Sequence, residues 1–127
     1  MSVDRAEVAR WVDGYVRAWR TAGTEPLTEL FTADVSYLPS PWREPIRGLD
    51  ALARFWVEER EGADERFAFS SELVALDGET AVVRVAVDYH DETPGRWRDL
   101  WVIRFDDRGR CRSFEEWPFA PDQDDGH

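Results

Sequence analysis

Lysine is absent from this 127-residue chain, in which all 16 basic side chains are arginine. Against 27 acidic residues they leave a formal charge of -11, and no long basic run interrupts the acidic balance. A nucleic-acid backbone or an anionic bilayer would be repelled, so neither is an expected partner. Cysteine is nearly absent too. Cys111 stands alone, which excludes an intramolecular disulfide and a cysteine-rich zinc site and fits a reducing compartment. Histidine occurs only at His90 and His127, which discourages an imidazole-based metal site. No metal and no cofactor is expected. Long apolar runs are missing too: nothing approaches the roughly 20 residues of a membrane span, and the opening MSVDRAEVARW lacks a basic leader and an apolar run of signal-peptide length. These absences together lead us to expect a soluble, cytoplasmic protein.

What is present is a core. A hydrophobic content of 43% and seven tryptophans suffice for one domain, placed at residues 1–121, and the chain is too short for two. The remaining residues, 122–127, are acidic, without apolar side chains, and are expected to be a disordered tail.

Periodicity divides the chain into two halves. Val8, Trp11, Val12, Tyr15, Val16 and Trp19 follow helical spacing and predict a first helix over Asp4 to Ala22. Asp4 with Glu7 three residues later resembles a capping box, and Gly23 is a plausible stop. A short helix is expected after Pro26, carrying Leu27, Leu30 and Phe31. The segment VSYLPSPWREPIRG, with three prolines, predicts a short strand and a loop. A third helix over Leu49 to Glu61 buries Leu52, Phe55 and Trp56 and ends at Gly62. From there the period is two, with strands expected near Glu65 to Ala75, Thr80 to His90, Arg96 to Asp106 and Arg110 to Phe119, joined by DG, TPG and DDRG turns. Helices first and antiparallel strands afterwards predict an α+β domain in which a curved sheet wraps around three N-terminal helices.

The run YVRAWRTAGTEPLTELFTADVSY, then EPIRG and a helix, then RDLWVIRFDDRGRCRSFEEW, resembles the nuclear transport factor 2-like superfamily in its SnoaL-like branch, over roughly Val8 to Phe119. The resemblance implies a cone-shaped curved antiparallel sheet, a deep pocket in its wide end, and a homodimer through the outer sheet face. Function does not follow from this fold, which carries isomerases, cyclases, hydrolases, dehydratases and non-catalytic binding proteins. Compared with ketosteroid isomerase, Tyr15 takes the place of the oxyanion-binding tyrosine, but Pro39 stands where the base would be and Trp101 where the second oxyanion donor would be. The Arg and Asp two apart that limonene epoxide hydrolase needs are also missing, because Trp97 lies two before Asp99.

Asp99 remains as the candidate acid or base, comparable to the pocket aspartate of SnoaL-type cyclases. If Trp101 faces inward, as the isomerase comparison implies, strand parity puts Trp97, Asp99 and Ile103 on the same face. A carboxylate between indoles would have its charged form disfavoured. The alternative pairs Asp99 with Arg84, Arg98 or Arg104, or leaves it in solvent. His90 would face Trp97, and Asp88 would face Asp99, if the hairpin turn is centred between Thr93 and Pro94. That arrangement makes a proton-transfer pair. The more apolar face, Val83, Val85, Val87 and Tyr89, competes for the interior, and a one-residue slip exchanges the two. Glu116 is an inward-facing second acid or an ion-pair partner, with Glu115 outward, and Tyr15 a hydrogen-bond donor or a core residue. Trp97, Trp101, Tyr37, Trp42, Phe114, Trp19 and Phe55 are the candidate ligand contacts, with Arg43 beside Tyr37 and Trp42 in the proline-rich rim. Two functional classes stay open: cofactor-independent acid/base catalysis on a small apolar molecule, and ligand binding without turnover.

Overall fold

In the computed structural model, residues 2–59, 66–89 and 95–124 are described. The chain forms α1 (Arg5–Trp19), α2 (Leu27–Leu30), β1 (Phe31–Leu38), β2 (Ile46–Arg47), α3 (Leu49–Glu59), β3 (Phe67–Asp77), β4 (Thr80–Tyr89), β5 (Arg96–Phe105) and β6 (Cys111–Phe119). It is an α+β fold with an open six-stranded sheet in the order β2-β1-β6-β5-β4-β3. The predicted helical stop at Gly62, the turn residues Thr93 and Pro94, and residues 125–127 of the tail lie outside the described residues.

Local chemistry explains the helical half. Asp4 accepts from the Glu7 backbone N–H at 2.8 Å, and Glu7 accepts from the Asp4 N–H at 3.3 Å, completing the capping box. The buried stripe of α1 is Val8, Trp11, Val12, Tyr15 and Ala18. The Trp11 indole donates to the Leu30 carbonyl at 2.8 Å and ties α1 to α2. Phe31, expected in the second helix, instead opens β1. Its aromatic ring joins the sheet-facing core, where an extended backbone lets it be buried beside Val35 and Tyr37. Pro39, Pro41 and Pro45 occupy the loop between β1 and β2. At Gly48 the backbone takes a φ of +90°, donates to the Val35 carbonyl at 2.8 Å and accepts from Leu52 at 3.1 Å. The chain thereby turns from the sheet edge directly into α3.

The second half is a meander of hairpins. Strands β3 to β6 pair antiparallel in succession. One pairing departs from the expected antiparallel sheet: β1 runs parallel to β6, because the N-terminal strand joins the meander at its last strand and its chain direction is set by the α3 crossover. The turn into β6 is closed by Asp106, whose Oδ1 accepts from the backbone of Arg108 and of Arg110, both at 2.9 Å, with Gly109 at a φ of +81°. On β6, Phe105 pairs with Cys111 but Arg104 pairs with Ser113. Arg112 is therefore an extra residue, a β-bulge. It explains why Cys111 and Phe114, three apart, are both buried.

Trp56 at 0% exposure anchors the middle of the core. Its ring meets Trp19 at 4.7 Å, Tyr15 at 5.2 Å and Phe31 at 6.5 Å. The opposite, outer sheet face carries Leu100, Trp117 and Phe119, all exposed. Leu100 and Trp117 are directly opposed across β5 and β6.

Candidate functional site

Between α1, α3 and the inner sheet face lies a cavity of ≈ 460 Å³. Its floor follows from strand register. Odd residues of β5 point inward, so Trp97, Asp99 and Trp101 all line it. On β6 the bulge brings Glu116 to the same face, directly opposite Trp101. Asp99, two residues before Trp101, is thereby diagonal to Glu116, within reach for carboxyl groups. The side chains of Asp99 and Glu116 are close enough for each to shift the other's titration. The Trp101 indole N–H donates to Glu116 Oε2 at 3.4 Å.

Two carboxylates this close in a buried site disfavour the doubly ionised form, and one proton held between them relieves the repulsion. Burial raises the pKa of both groups. In Glu116 the contact with Asp99 adds to burial and holds the carboxyl well above its ordinary range. In Asp99 the bonds from Glu116 and Trp101 oppose burial, as does the Arg98 charge. The two acids titrate as a unit. The ion pairs weighed for Asp99 form elsewhere: Arg84 binds Glu72 and Arg98 binds Asp88 at 3.1 Å. Asp99 is 6% exposed, and its Oδ1 has no hydrogen-bond donor among the described residues.

Beside this pair, the hydroxyls of Tyr15 and Tyr37 lie 2.8 Å apart. Both stay protonated, first through burial, with the neighbouring phenol and Glu116 adding for Tyr15, and Glu116 adding for Tyr37. Two hydroxyls making one mutual bond leave one O–H free to donate to a ligand. Phe114 stacks on Tyr37 at 4.6 Å and on Tyr15 at 5.6 Å. It fixes both rings from behind without itself lining the cavity, contrary to its expected role as a ligand contact. Trp19 and Phe55 do line it.

Two further expectations are corrected. Trp42 is 97% exposed and absent from the cavity, because the prolines around it hold that loop outside the sheet edge. Asp88 does not face Asp99. Val85 does, and Asp88 pairs with Arg96. The hairpin is centred nearer β4 than predicted, and the register is the one that buries Val83 and Val85. His90 lies outside the described residues. Sequence reasoning missed Phe67 and Phe69 of β3 as cavity walls; their alternation with Ala68 and Ser70 was the available signal. Among the described residues no three His, Cys, Asp or Glu side chains gather as metal ligands would, and no helix is long and apolar enough to cross a membrane.

The carboxyl pair should be visible in stability. Raised folded-state values mean that the folded chain keeps protons the unfolded chain releases. The associated stability is complete below about pH 4 and is lost as pH rises through the raised values. Glu116→Gln, neutral and nearly isosteric, removes much of this loss. Urea unfolding at pH 5 and pH 8 is expected to show a decline with pH that is smaller in the variant by about 1 kcal/mol or more. An identical decline in both proteins would contradict the shared proton.

An open sheet backed by three helices, with acids and phenols at the bottom of an aromatic cavity, defines a pocket protein of the nuclear transport factor 2-like class. The SnoaL-like domain model matches residues 12–114. The chain belongs to the SnoaL-like domain family. Among solved structures it is similar to a ketosteroid isomerase-like protein from Kribbella flavida, at 22% identity and a TM-score of 0.68, covering 97% of this chain and 82% of that one. A polyketide cyclase-like protein from Sinorhizobium meliloti is 20% identical with a TM-score of 0.69, over 90% and 99% of the two chains. The epoxide hydrolase/cyclase-like enzyme SalBIII, of pyran ring formation in salinomycin, is 15% identical with a TM-score of 0.70, over 91% and 93%. At these identities the likeness concerns the fold. No curated protein sequence matches the chain.

Proposed function

We propose that this protein carries out metal-free, cofactor-independent acid/base chemistry of the isomerase, cyclase or dehydratase type on a small, largely apolar molecule. The observation that carries the reading is the contact between Asp99 and Glu116 at the floor of the cavity. A singly protonated pair offers a base and an acid side by side, so a proton taken by Asp99 from one atom of a ligand can be matched by one given from Glu116 to another. The free O–H of the Tyr15–Tyr37 pair stabilises negative charge developing on a ligand oxygen. Aromatic walls exclude water and receive a flat apolar body. The names of the structural neighbours, isomerase-like and cyclase-like, support the same range of reactions.

The test is turnover of a panel of polyketide-like, steroid-like and epoxide substrates by wild type and Asp99→Asn. Equal turnover by the two proteins would remove Asp99 from the mechanism.

The protein is also proposed to act as a homodimer through the outer sheet face, since Leu100, Trp117 and Phe119 form an exposed apolar patch there. Light scattering at micromolar concentration is expected to give twice the chain mass. A monomer mass would refute it. A cytoplasmic setting is proposed from the single thiol, Cys111, which is buried, unpaired and held neutral chiefly by that burial.

A further inference from the structure

Among the described residues the cavity pairs an acidic floor with aromatic walls and a single cation: of the eighteen that line it nine are aromatic, three are acidic and one, Arg43, is basic. Arg43 is already engaged at the mouth, where a guanidinium nitrogen lies 3.9 Å from Glu59 Oε1 and the group sits 5.6 Å from the Phe55 ring centroid. At the floor the nearby arginine, Arg98, points its charge to Asp88 on the outer face. Asp99 Oδ1 is buried and receives no donor among the described residues. A neutral hydrocarbon seated over it would leave that acceptor empty, and an anion would meet the carboxyl pair without a compensating charge. A ligand N–H bearing positive charge would satisfy the acceptor and the charge together. The rings around it add attraction: the Tyr15 and Trp101 centroids are 4.6 Å apart beside the pair, and cations are held over such faces.

We propose that the ligand of this pocket carries a positively charged nitrogen on a flat apolar body, as in a protonated arylalkylamine, with its N–H groups on Asp99. The inference rests on the reading of Asp99 and Glu116 as a pair holding one proton and one negative charge, and it narrows the proposed substrate from small apolar molecules to amines. The apolar body lies against Trp19, Phe55 and Trp97, and the cationic end reaches the floor.

Tryptophan fluorescence titration tests this with 2-phenylethylammonium, its neutral counterpart propylbenzene and the anion 3-phenylpropionate. The ammonium is expected to bind about tenfold or more tightly than propylbenzene, with the anion weakest. Propylbenzene or the anion binding as tightly as the ammonium would overturn the proposal. Asp99→Asn is expected to abolish the preference while keeping propylbenzene affinity. Should that variant fail to fold, wild type alone decides, using 2-phenylethylammonium over the pH range in which the amine keeps its charge. Its affinity should fall as acid protonates the pair; the other groups facing it, Tyr15 from α1, Tyr37 from β1, Tyr89 from β4, and Arg43 and Glu59 at the mouth, are the controls for that titration. Affinity unchanged from pH 4 to pH 9 would sink the idea. Binding needs no turnover, so the two readings fail separately. Amine preference with turnover indifferent to Asp99→Asn removes only the acid/base reading, and Asp99-dependent turnover without amine preference removes only this one.

Discussion

Asp99→Asn is expected to lower turnover by about 10²–10⁴-fold, the usual range for loss of a positioned proton-transfer group. The amide fills the same volume and can still receive the Glu116 proton in a hydrogen bond, so the cavity should keep its shape. What it cannot do is take a proton at neutral pH. Rate against pH gives a second readout. On the proposed mechanism the active form is the pair with one proton, so wild-type activity is expected to rise with pH as the first proton leaves and to fall as the second leaves. In Glu116→Gln the falling limb assigned to the acid disappears, because the remaining carboxyl has only one proton to lose. A bell-shaped profile unchanged in both variants would place the titrating groups elsewhere.

The second large effect concerns stability. Trp56→Ala is expected to destabilise the fold by about 3–5 kcal/mol, lowering Tm by roughly 10–20 °C for a domain of this size. Trp56 is fully buried in α3 and its ring meets aromatic rings from α1 and β1. Removing it empties the junction between both helices and the sheet, and nothing flexible is placed to collapse into the space. Trp56→Phe should behave differently. The Trp56 indole N–H has no acceptor among the described residues, so phenylalanine loses volume but also removes an unsatisfied donor. The Phe variant is expected to retain most of the stability that Ala loses. Thermal unfolding of both checks this, and equal losses would mean that the indole itself, not the ring volume phenylalanine keeps, governs the position.

The elements were legible where periodicity was strong. The α1 stripe and the Asp4–Glu7 cap follow from spacing alone, the inward set Trp97, Asp99 and Trp101 from strand parity once the isomerase resemblance turns Trp101 inward, and the structure places them so. The parallel seam of β1 with β6 was not legible, because strand neighbours distant in sequence leave no local pattern. Nor was the β4–β5 register. There the faces headed by Val85 and by Arg84 compete, and a choice depends on where the hairpin closes, in this case with Tyr89 donating to the Gly95 carbonyl at 2.6 Å. Trp42 was misjudged because an indole in a proline-rich segment reads as a pocket-rim contact in any local view. The Asp99–Glu116 contact combines both kinds of information. Each residue was singled out from its own strand, but their meeting depends on a diagonal relation between strands that only the assembled register supplies.

The extra residue at Arg112 gives strand β6 two reading frames. Upstream of it the frame is the one that buries Cys111; downstream it is shifted by one, and that shifted frame sends Glu116 to the cavity and Trp117 and Phe119 to the outside. Were Arg112 taken into the ladder in place of the bulge, one frame would run throughout. An indole would then enter the cavity and Glu116 would emerge among apolar neighbours on the outer face. The acid of the pocket and the patch on its back are thus set by one and the same bulge.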